Sequence, residues 1–200
     1  MIANILVNFV GILIFLFIFW KKLKEDYTSE IIFSVTTSIF VGIVISYIVS
    51  LNFFPEWFFW FGFLGILLGF LFGIWKFRMK GFEVLDALTV SILPWVSFVF
   101  LKDSVVNSLL SSFFGFIITL LFISIYYFLD LNYKRFTWYK SGRIGFSSLS
   151  TLFLIFLTRA TLAIKFPTVL SFVVKYEPYL SGLVALTAAV MIFVLSRNEE

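Results

Sequence analysis

One uncharged apolar run, residues 57–75, constrains this chain more than any other feature. Its nineteen residues form a helix of about 28 Å, which matches the thickness of a bilayer's hydrocarbon core. Trp57, Trp60 and Trp75 lie at its two ends, where indole rings prefer the membrane interface. Cations follow at once in residues 76–80. We therefore interpret the run as a transmembrane helix with tryptophan interface anchors.

Four glycines fall on one side of this run. Gly62 begins the stripe, and Gly65, Gly69 and Gly73 continue it at four-residue spacing. A helix face without side chains allows a neighbouring helix to approach closely in a membrane. The stripe predicts that this span is the centre of the bundle, against which other helices pack.

Composition places the whole chain in the membrane class. Hydrophobic residues make up 62% and charged residues 13%, whereas soluble domains carry about 25% charged residues. We expect one transmembrane domain over residues 1–200. Histidine and cysteine are absent, which excludes disulfides and thiolate chemistry and removes the commonest neutral-pH base and metal ligand. We expect no cofactor, no metal and no nucleic-acid partner, because the cations lie in short loops rather than on a continuous face.

Hydropathy predicts an all-α bundle of seven transmembrane helices. The expected spans are residues 3–20, 31–51, 57–75, 83–101, 105–129, 144–164 and 180–195. Lys102 and Asp103 would form a tight turn between the fourth and fifth spans. The segment 165–179, interrupted by Pro167 and Pro178, is too short to span; it is either interfacial or part of a longer helix.

The distribution of cations predicts the orientation of the bundle. With the N-terminus outside and the C-terminus inside, inner segments hold eleven cations and outer segments hold three, which is a strong positive-inside bias. The inner ones are Lys21, Lys22, Lys24, Lys76, Arg78, Lys80, Lys134, Arg135, Lys140, Arg143 and Arg197, and the outer ones are Lys102, Lys165 and Lys175.

Four stretches of the chain carry a resemblance to a known family: SEIIFSVTTSIFVGIVISYIV, FWFGFLGILLG, KFRMKGFEVLDAL and SGRIGFSSLSTLFLIFLTRATLA. In this order they resemble the second helix, the glycine-rich third helix, the basic turn with the fourth helix, and the sixth helix of the prolipoprotein diacylglyceryl transferase family of bacterial inner membranes. The resemblance puts Asp86 on the family's aspartate and Arg159 on its sixth-helix arginine. It implies a multi-pass protein of the bacterial plasma membrane that transfers diacylglyceryl from phosphatidylglycerol to a lipobox cysteine of prolipoproteins.

Much of the family's polar machinery is replaced here. Its histidine falls on Trp60 or Phe61, and its second-helix arginine falls on Val44. Transfer to a thiol needs a proton acceptor and cations that hold the phosphate. We therefore expect a divergent protein or one with lost activity, with its catalytic residues unknown. The alternative is a non-catalytic lipid-binding or assembly subunit. A small transporter is disfavoured because no carboxylate lies near the bilayer centre.

Arg159 is the only charge inside any apolar run. One interpretation makes it the binding site for a lipid headgroup, phosphatidylglycerol by the resemblance, because guanidinium presents forked donors to phosphate. The other has it extend to the outer interface or pair with an outer acid such as Glu177. Glu83 and Asp86 lie at the start of the fourth span, where the helix dipole favours anions.

The orientation is testable by cysteine labelling, since the native chain has no cysteine. We expect an impermeant maleimide to label Asn52→Cys and Lys102→Cys from outside intact cells, and to reach Lys24→Cys and Lys80→Cys only after the membrane is opened. Labelling of Lys80→Cys from outside intact cells would contradict the predicted orientation.

Overall fold

The structure is a computed structural model that describes residues 2–135, 145–165 and 176–197. These residues form seven α-helices and two short 3₁₀ turns, and no strand occurs among them. The helices are α1 Ile2–Leu23, α2 Ser29–Phe53, α3 Phe58–Phe77, α4 Gly81–Asn107, α5 Leu110–Asn132, α6 Phe146–Lys165 and α7 Glu177–Arg197, with the turns at Pro55–Trp57 and Tyr133–Arg135. All seven helices are long and apolar enough to cross a membrane. The predicted all-α, seven-span bundle is confirmed.

Contacts between distant residues sort the helix ends into two groups. Lys22 at the end of α1 pairs with Asp86 near the start of α4 and Asp130 near the end of α5. At the other end of the bundle, Trp60 near the start of α3 contacts Glu177 at the start of α7. We call the first group the cation-rich end and the second the opposite end. Which of them faces the cytoplasm remains the sequence-based prediction.

The central helix is α4, and the prediction that the glycine-striped span is central was wrong. Half of the membrane span of α4 is buried within the protein, against 28% for α3, and α4 packs on α1, α5 and α6. Its polar residues suit this position because they bond within the helix: Thr89 donates to Leu85 O and Ser91 to Ala87 O. Buried hydroxyls satisfied in this way leave α4 able to pack on every side.

The glycine stripe instead joins α3 to α2. A Cβ at Gly69 would lie 2.6 Å from Ile39 Cα, and one at Gly73 would lie 2.9 Å from a Val35 methyl group. The Ser38 hydroxyl donates to Gly69 O at 3.0 Å. Gly62 has open space around it, so it is not part of the packing face. The close contact of the two backbones explains the spacing, as in small-residue interfaces of other membrane helices.

Two apolar clusters lie in the described interior. The larger one, toward the cation-rich end, draws on α1 to α4 and includes Phe15, Phe19, Val35 and Phe70. The smaller one joins Trp60, Phe156 and Ala185 of α3, α6 and α7. Because α3 contributes to both clusters, it links the two halves of the bundle although it is not central.

Two predicted boundaries were wrong. Lys102 and Asp103 do not form a turn: α4 continues to Asn107, and the chain reverses at Ser108, whose φ of 52° is left-handed. Asp103 accepts hydrogen bonds from Asn107 and Ser112, which ties this helix end to the start of α5. The last helix begins at Glu177 rather than at residue 180. Pro178 lies in its first turn, where a missing N–H removes no helical bond.

The structure describes the two ends of the segment 165–179. Lys165 is the last residue of α6, and residues 177–179 belong to α7. The prediction that the rest is interfacial or part of a longer helix concerns residues 166–175, which lie outside the described part of the chain.

The interface between α2 and α3 gives a direct test. We expect Gly69→Leu to lower the free energy of unfolding by at least about 3 kcal/mol, because overpacking a tight interior costs about 1–3 kcal/mol even where neighbours can relax. The control Leu68→Ala alters a side chain that is 62% exposed and should change stability by no more than about 0.5 kcal/mol. Thermal unfolding in detergent measures both; equal melting curves for Gly69→Leu and the parent would refute the contact.

Candidate functional site

Arg159 lies inside the protein near the opposite end of the bundle. It occupies the fourteenth position of α6, about 20 Å along the helix axis, and its side chain is 12% exposed. Its Nε donates a hydrogen bond to Glu177 Oε1 in an ion pair. Hydrocarbon solvates a guanidinium poorly, so a buried arginine needs a compensating charge within the protein.

Glu177 receives hydrogen bonds from three helices. Arg159 of α6 and Ser181 of α7 donate to its Oε1, the serine at 2.8 Å, and Trp60 Nε1 of α3 donates to its Oε2 at 2.6 Å. The glutamate side chain is 1% exposed. A buried ion pair is stable only when further hydrogen bonds satisfy the remaining lone pairs. Trp60 and Ser181 meet that condition here.

Aromatic rings complete the surroundings of the pair. Arg159 Cζ lies 3.4 Å from the centroid of the Phe59 ring, which is a cation–π contact shielded from water. Phe156 packs against Trp60 with ring centroids 6.2 Å apart and against Phe63 at 5.2 Å. The result is an ion pair enclosed by rings from α3 and α6. We call Arg159, Glu177, Trp60, Ser181 and Phe59 the arginine pin.

The pin bears on the two sequence interpretations of Arg159. The structure shows the pairing with Glu177 that the second interpretation named. Headgroup binding by Arg159 stays a prediction, and a phosphate at this position would share the guanidinium with a carboxylate that repels it.

Trp60 is the residue that sequence reasoning missed. Its prediction as an interface anchor was wrong, since it is 7% exposed and donates to Glu177, whereas Trp75 is 79% exposed, as an anchor should be. Indole prefers the interface because its N–H finds an acceptor there; Glu177 supplies that acceptor in the interior. No local signal in the sequence distinguishes Trp60 from the tryptophans that anchor helices at the interface.

A second polar cluster lies at the cation-rich end. Lys22 Nζ is 2.9 Å from Asp86 Oδ2 and 3.5 Å from Asp130 Oδ1, and it lies 5.5 Å from the centroid of the Tyr126 ring. The Tyr126 hydroxyl is close to Asp86, yet neither it nor Asp86 Oδ1 makes a well-formed hydrogen bond in the described structure. The cluster ties α1, α4 and α5 together.

Glu83 forms a third contact, beside the loop between α1 and α2. The Tyr27 hydroxyl donates to Glu83 Oε2 at 2.6 Å and accepts from the Lys80 N–H at 3.0 Å, while Lys80 Nζ lies 3.1 Å from Glu83 Oε1. Burial and the neighbouring carboxylate raise the pKa of Tyr27, and the bond to Glu83 raises the pKa of Lys80. Glu83 lies in the first turn of α4, as predicted, and it also ties α4 to the loop between α1 and α2, whereas Asp86 joins α4 to α1.

Comparison with known proteins adds no relative. No protein-family model matches the sequence, and no curated protein or solved structure is detectably similar to it. Among the residues that the structure describes, no three histidine, cysteine, aspartate or glutamate side chains gather in a way that could hold a metal ion. Function is therefore argued from the polar clusters and from the surface of the bundle.

The Tyr27 contact predicts a particular pH dependence. Tyr27→Phe should lower the free energy of unfolding by about 1 kcal/mol, because two partly shielded hydrogen bonds are lost. Because the folded pKa of Tyr27 is raised above its usual value of about 10, its stabilisation is complete below that pH and is lost as the pH rises through the folded pKa. The parent and the variant should differ by a constant amount between about pH 7 and 9 and converge above about pH 10. Thermal unfolding across this range measures the difference, and a gap that widens at high pH would contradict the assignment.

Proposed function

We propose that this protein is a non-catalytic membrane subunit, a seven-helix bundle that serves as a lipid-binding or assembly scaffold. We further propose that it has the architecture of the diacylglyceryl transferases without their transfer chemistry, and that it works in a bacterial plasma membrane. The observation that carries the proposal is the arginine pin. Arg159 of α6 is neutralised by Glu177 of α7, and that glutamate accepts further hydrogen bonds from Trp60 of α3 and Ser181 of α7.

The loss of transfer chemistry is supported by the residues, Trp60 or Phe61, on which the resemblance places the family's histidine. An imidazole can take a proton from a thiol, but an indole N–H only donates. Trp60 uses that N–H to bind Glu177. The Glu177 carboxylate already accepts hydrogen bonds from Arg159, Trp60 and Ser181, and it is 1% exposed, so an acceptor peptide cannot reach it without a rearrangement of the pin.

A scaffold role is supported by what the pin does for packing. Helices in a bilayer gain no hydrophobic free energy by associating, so packing and interhelical hydrogen bonds hold them together. The pin supplies such bonds between α3, α6 and α7, at the end of the bundle where α3 contacts α7 through Trp60. Helices fixed in this way present a constant surface, which suits a protein that other molecules bind.

Headgroup binding at Arg159 is the second candidate function. It is favoured by the position of Arg159 in the last two turns of α6, close to where a headgroup of the outer leaflet would lie in the predicted orientation. Under this proposal phosphatidylglycerol competes with Glu177 for the guanidinium.

A double-mutant cycle tests the scaffold proposal. Arg159→Gln and Glu177→Gln should each destabilise the protein by about 3–5 kcal/mol, because each leaves a buried charge without its partner. The double variant should be more stable than the sum of the two losses predicts. Arg197→Gln is the control, since Arg197 stacks on Phe193 at the other end of α7. Additive losses in thermal unfolding would show that the pair does not hold the helices.

Two further measurements separate the scaffold from the alternatives. Phosphatidylglycerol retained by purified protein should be the same for the parent, Arg159→Lys and Glu177→Gln. If Arg159 binds the headgroup, Glu177→Gln should raise retention and Arg159→Lys should lower it, because lysine lacks the forked donors. Incubation with phosphatidylglycerol vesicles and a lipobox peptide should give no thioether product, and formation of that product would overturn the non-catalytic proposal.

A further inference from the structure

A groove runs along the lipid-facing side of the α2–α3 pair at the cation-rich end. Its volume is about 490 Å³, and its lining includes Ser34, Thr37 and Ser38 of α2 and Gly69 and Lys76 of α3. Gly69 lies at its base, where α3 contacts the α2 backbone. We call it the α2/α3 groove. It lies at the opposite end of the bundle from the arginine pin.

The groove extends from the membrane interface into the hydrocarbon region. Lys76 lies in the last turn of α3 and Ser34 in the second turn of α2, so both are at the level where headgroups lie. Gly69 is seven residues before Lys76, about 10 Å deeper along the helix. The two ends of the groove therefore match the two parts of a phospholipid, a polar headgroup above and an acyl chain below.

The charge at the rim of the groove is uncompensated. Lys76 Nζ lies 5.6 and 5.5 Å from the centroids of the Phe72 and Phe77 rings, and it forms no ion pair with a carboxylate of the described chain. Lys22 and Lys80, at the same end, do pair with carboxylates. Glu30, the nearest acid along α2, lies a turn before Ser34 and is not in contact with Lys76. An ammonium held by aromatic rings alone favours an anion.

The hydroxyl groups divide into two kinds. The Thr37 hydroxyl donates a hydrogen bond to Phe33 O, and the Ser38 hydroxyl donates to Val35 O and Gly69 O. These two hydroxyl groups therefore stabilise the helices. The Ser34 hydroxyl makes no hydrogen bond to the described residues, and like Lys76 it lines the groove. An ammonium and a hydroxyl on adjacent helices of one groove provide two donors for one phosphate.

We propose that the α2/α3 groove binds an anionic phospholipid from the leaflet at the cation-rich end. The phosphate contacts Lys76 and Ser34, and one acyl chain lies along the groove past Gly69. The rim charge favours an anionic lipid over a zwitterionic one, whose own ammonium competes with Lys76. Since the groove is remote from Arg159, the lipid binds whether the arginine pin is structural or binds a headgroup.

Native mass spectrometry of purified protein tests the site. After reconstitution in vesicles of equal phosphatidylglycerol and phosphatidylcholine, the parent should retain mainly phosphatidylglycerol. Lys76→Gln should reduce that retention about fivefold, the effect of losing one lysine beside an anionic surface. Lys76→Arg should preserve it. The matched control is Lys21→Gln, because Lys21 lies in the last turn of α1 over the Phe17 ring and outside the groove; it should retain as much lipid as the parent.

Ser34→Ala provides a second test, because it removes one hydroxyl group from α2 and leaves the charge of Lys76 unchanged. It should reduce phosphatidylglycerol retention about threefold, the effect of one lost hydrogen bond. Equal losses in Lys21→Gln and Lys76→Gln would mean a diffuse belt of cations and would overturn the site. Equal retention of the two lipids by the parent, or no effect of Lys76→Gln, would also overturn it. So would disulfide cross-linking between Val41→Cys molecules in the vesicles, which would show that a second copy covers the groove.

Discussion

A guanidinium surrounded by hydrocarbon must find an opposite charge inside the protein, and the architecture at one end of this bundle follows from that requirement. Arg159 meets it through Glu177, and Glu177 in turn needs donors for its remaining lone pairs. Trp60 and Ser181 supply them. The chain thereby fixes the start of α3 and the start of α7 against the last turns of α6, although this cluster buries few large aliphatic side chains.

The two ends of the molecule hold their helices together by different means. At the opposite end a charged pair joins three helices, with aromatic rings around it. Toward the cation-rich end, α2 and α3 approach backbone to backbone at Gly69 and Gly73, and α1, α4 and α5 meet around Lys22. Both means suit a solvent in which burying apolar surface gives no advantage, because each depends on close contact or on hydrogen bonds.

The cations of the bundle differ in whether a carboxylate of the protein pairs with them. The cations of the pin and of the Lys22 cluster are matched by acids, and both clusters stabilise the fold. Lys76 has aromatic neighbours only and lies beside a groove of about 490 Å³. The proposal of a scaffold and the proposal of a lipid site therefore rest on different residues: the matched charges hold helices, and Lys76 is available to the membrane.

The sequence by itself determined the seven helices, the grouping of cations, the presence of a charged residue, Arg159, within the sixth helix, and the close packing at Gly65, Gly69 and Gly73. These follow from local physics, because a segment in hydrocarbon must satisfy its own backbone as a helix. It also determined that Lys21 and Lys22 end the first span, since such cations do not cross the membrane.

Only the tertiary structure decided which faces meet. Trp60 and Glu177 are 117 residues apart in the chain, and nothing local distinguishes an indole that binds an internal carboxylate from one at the interface. The central position of α4 was hidden for a related reason: spans that are apolar on every side carry little hydropathy signal for which face is inward. Contacts between distant segments decide which face of each helix is buried. The arginine pin and the position of α3 are therefore seen only in the tertiary structure.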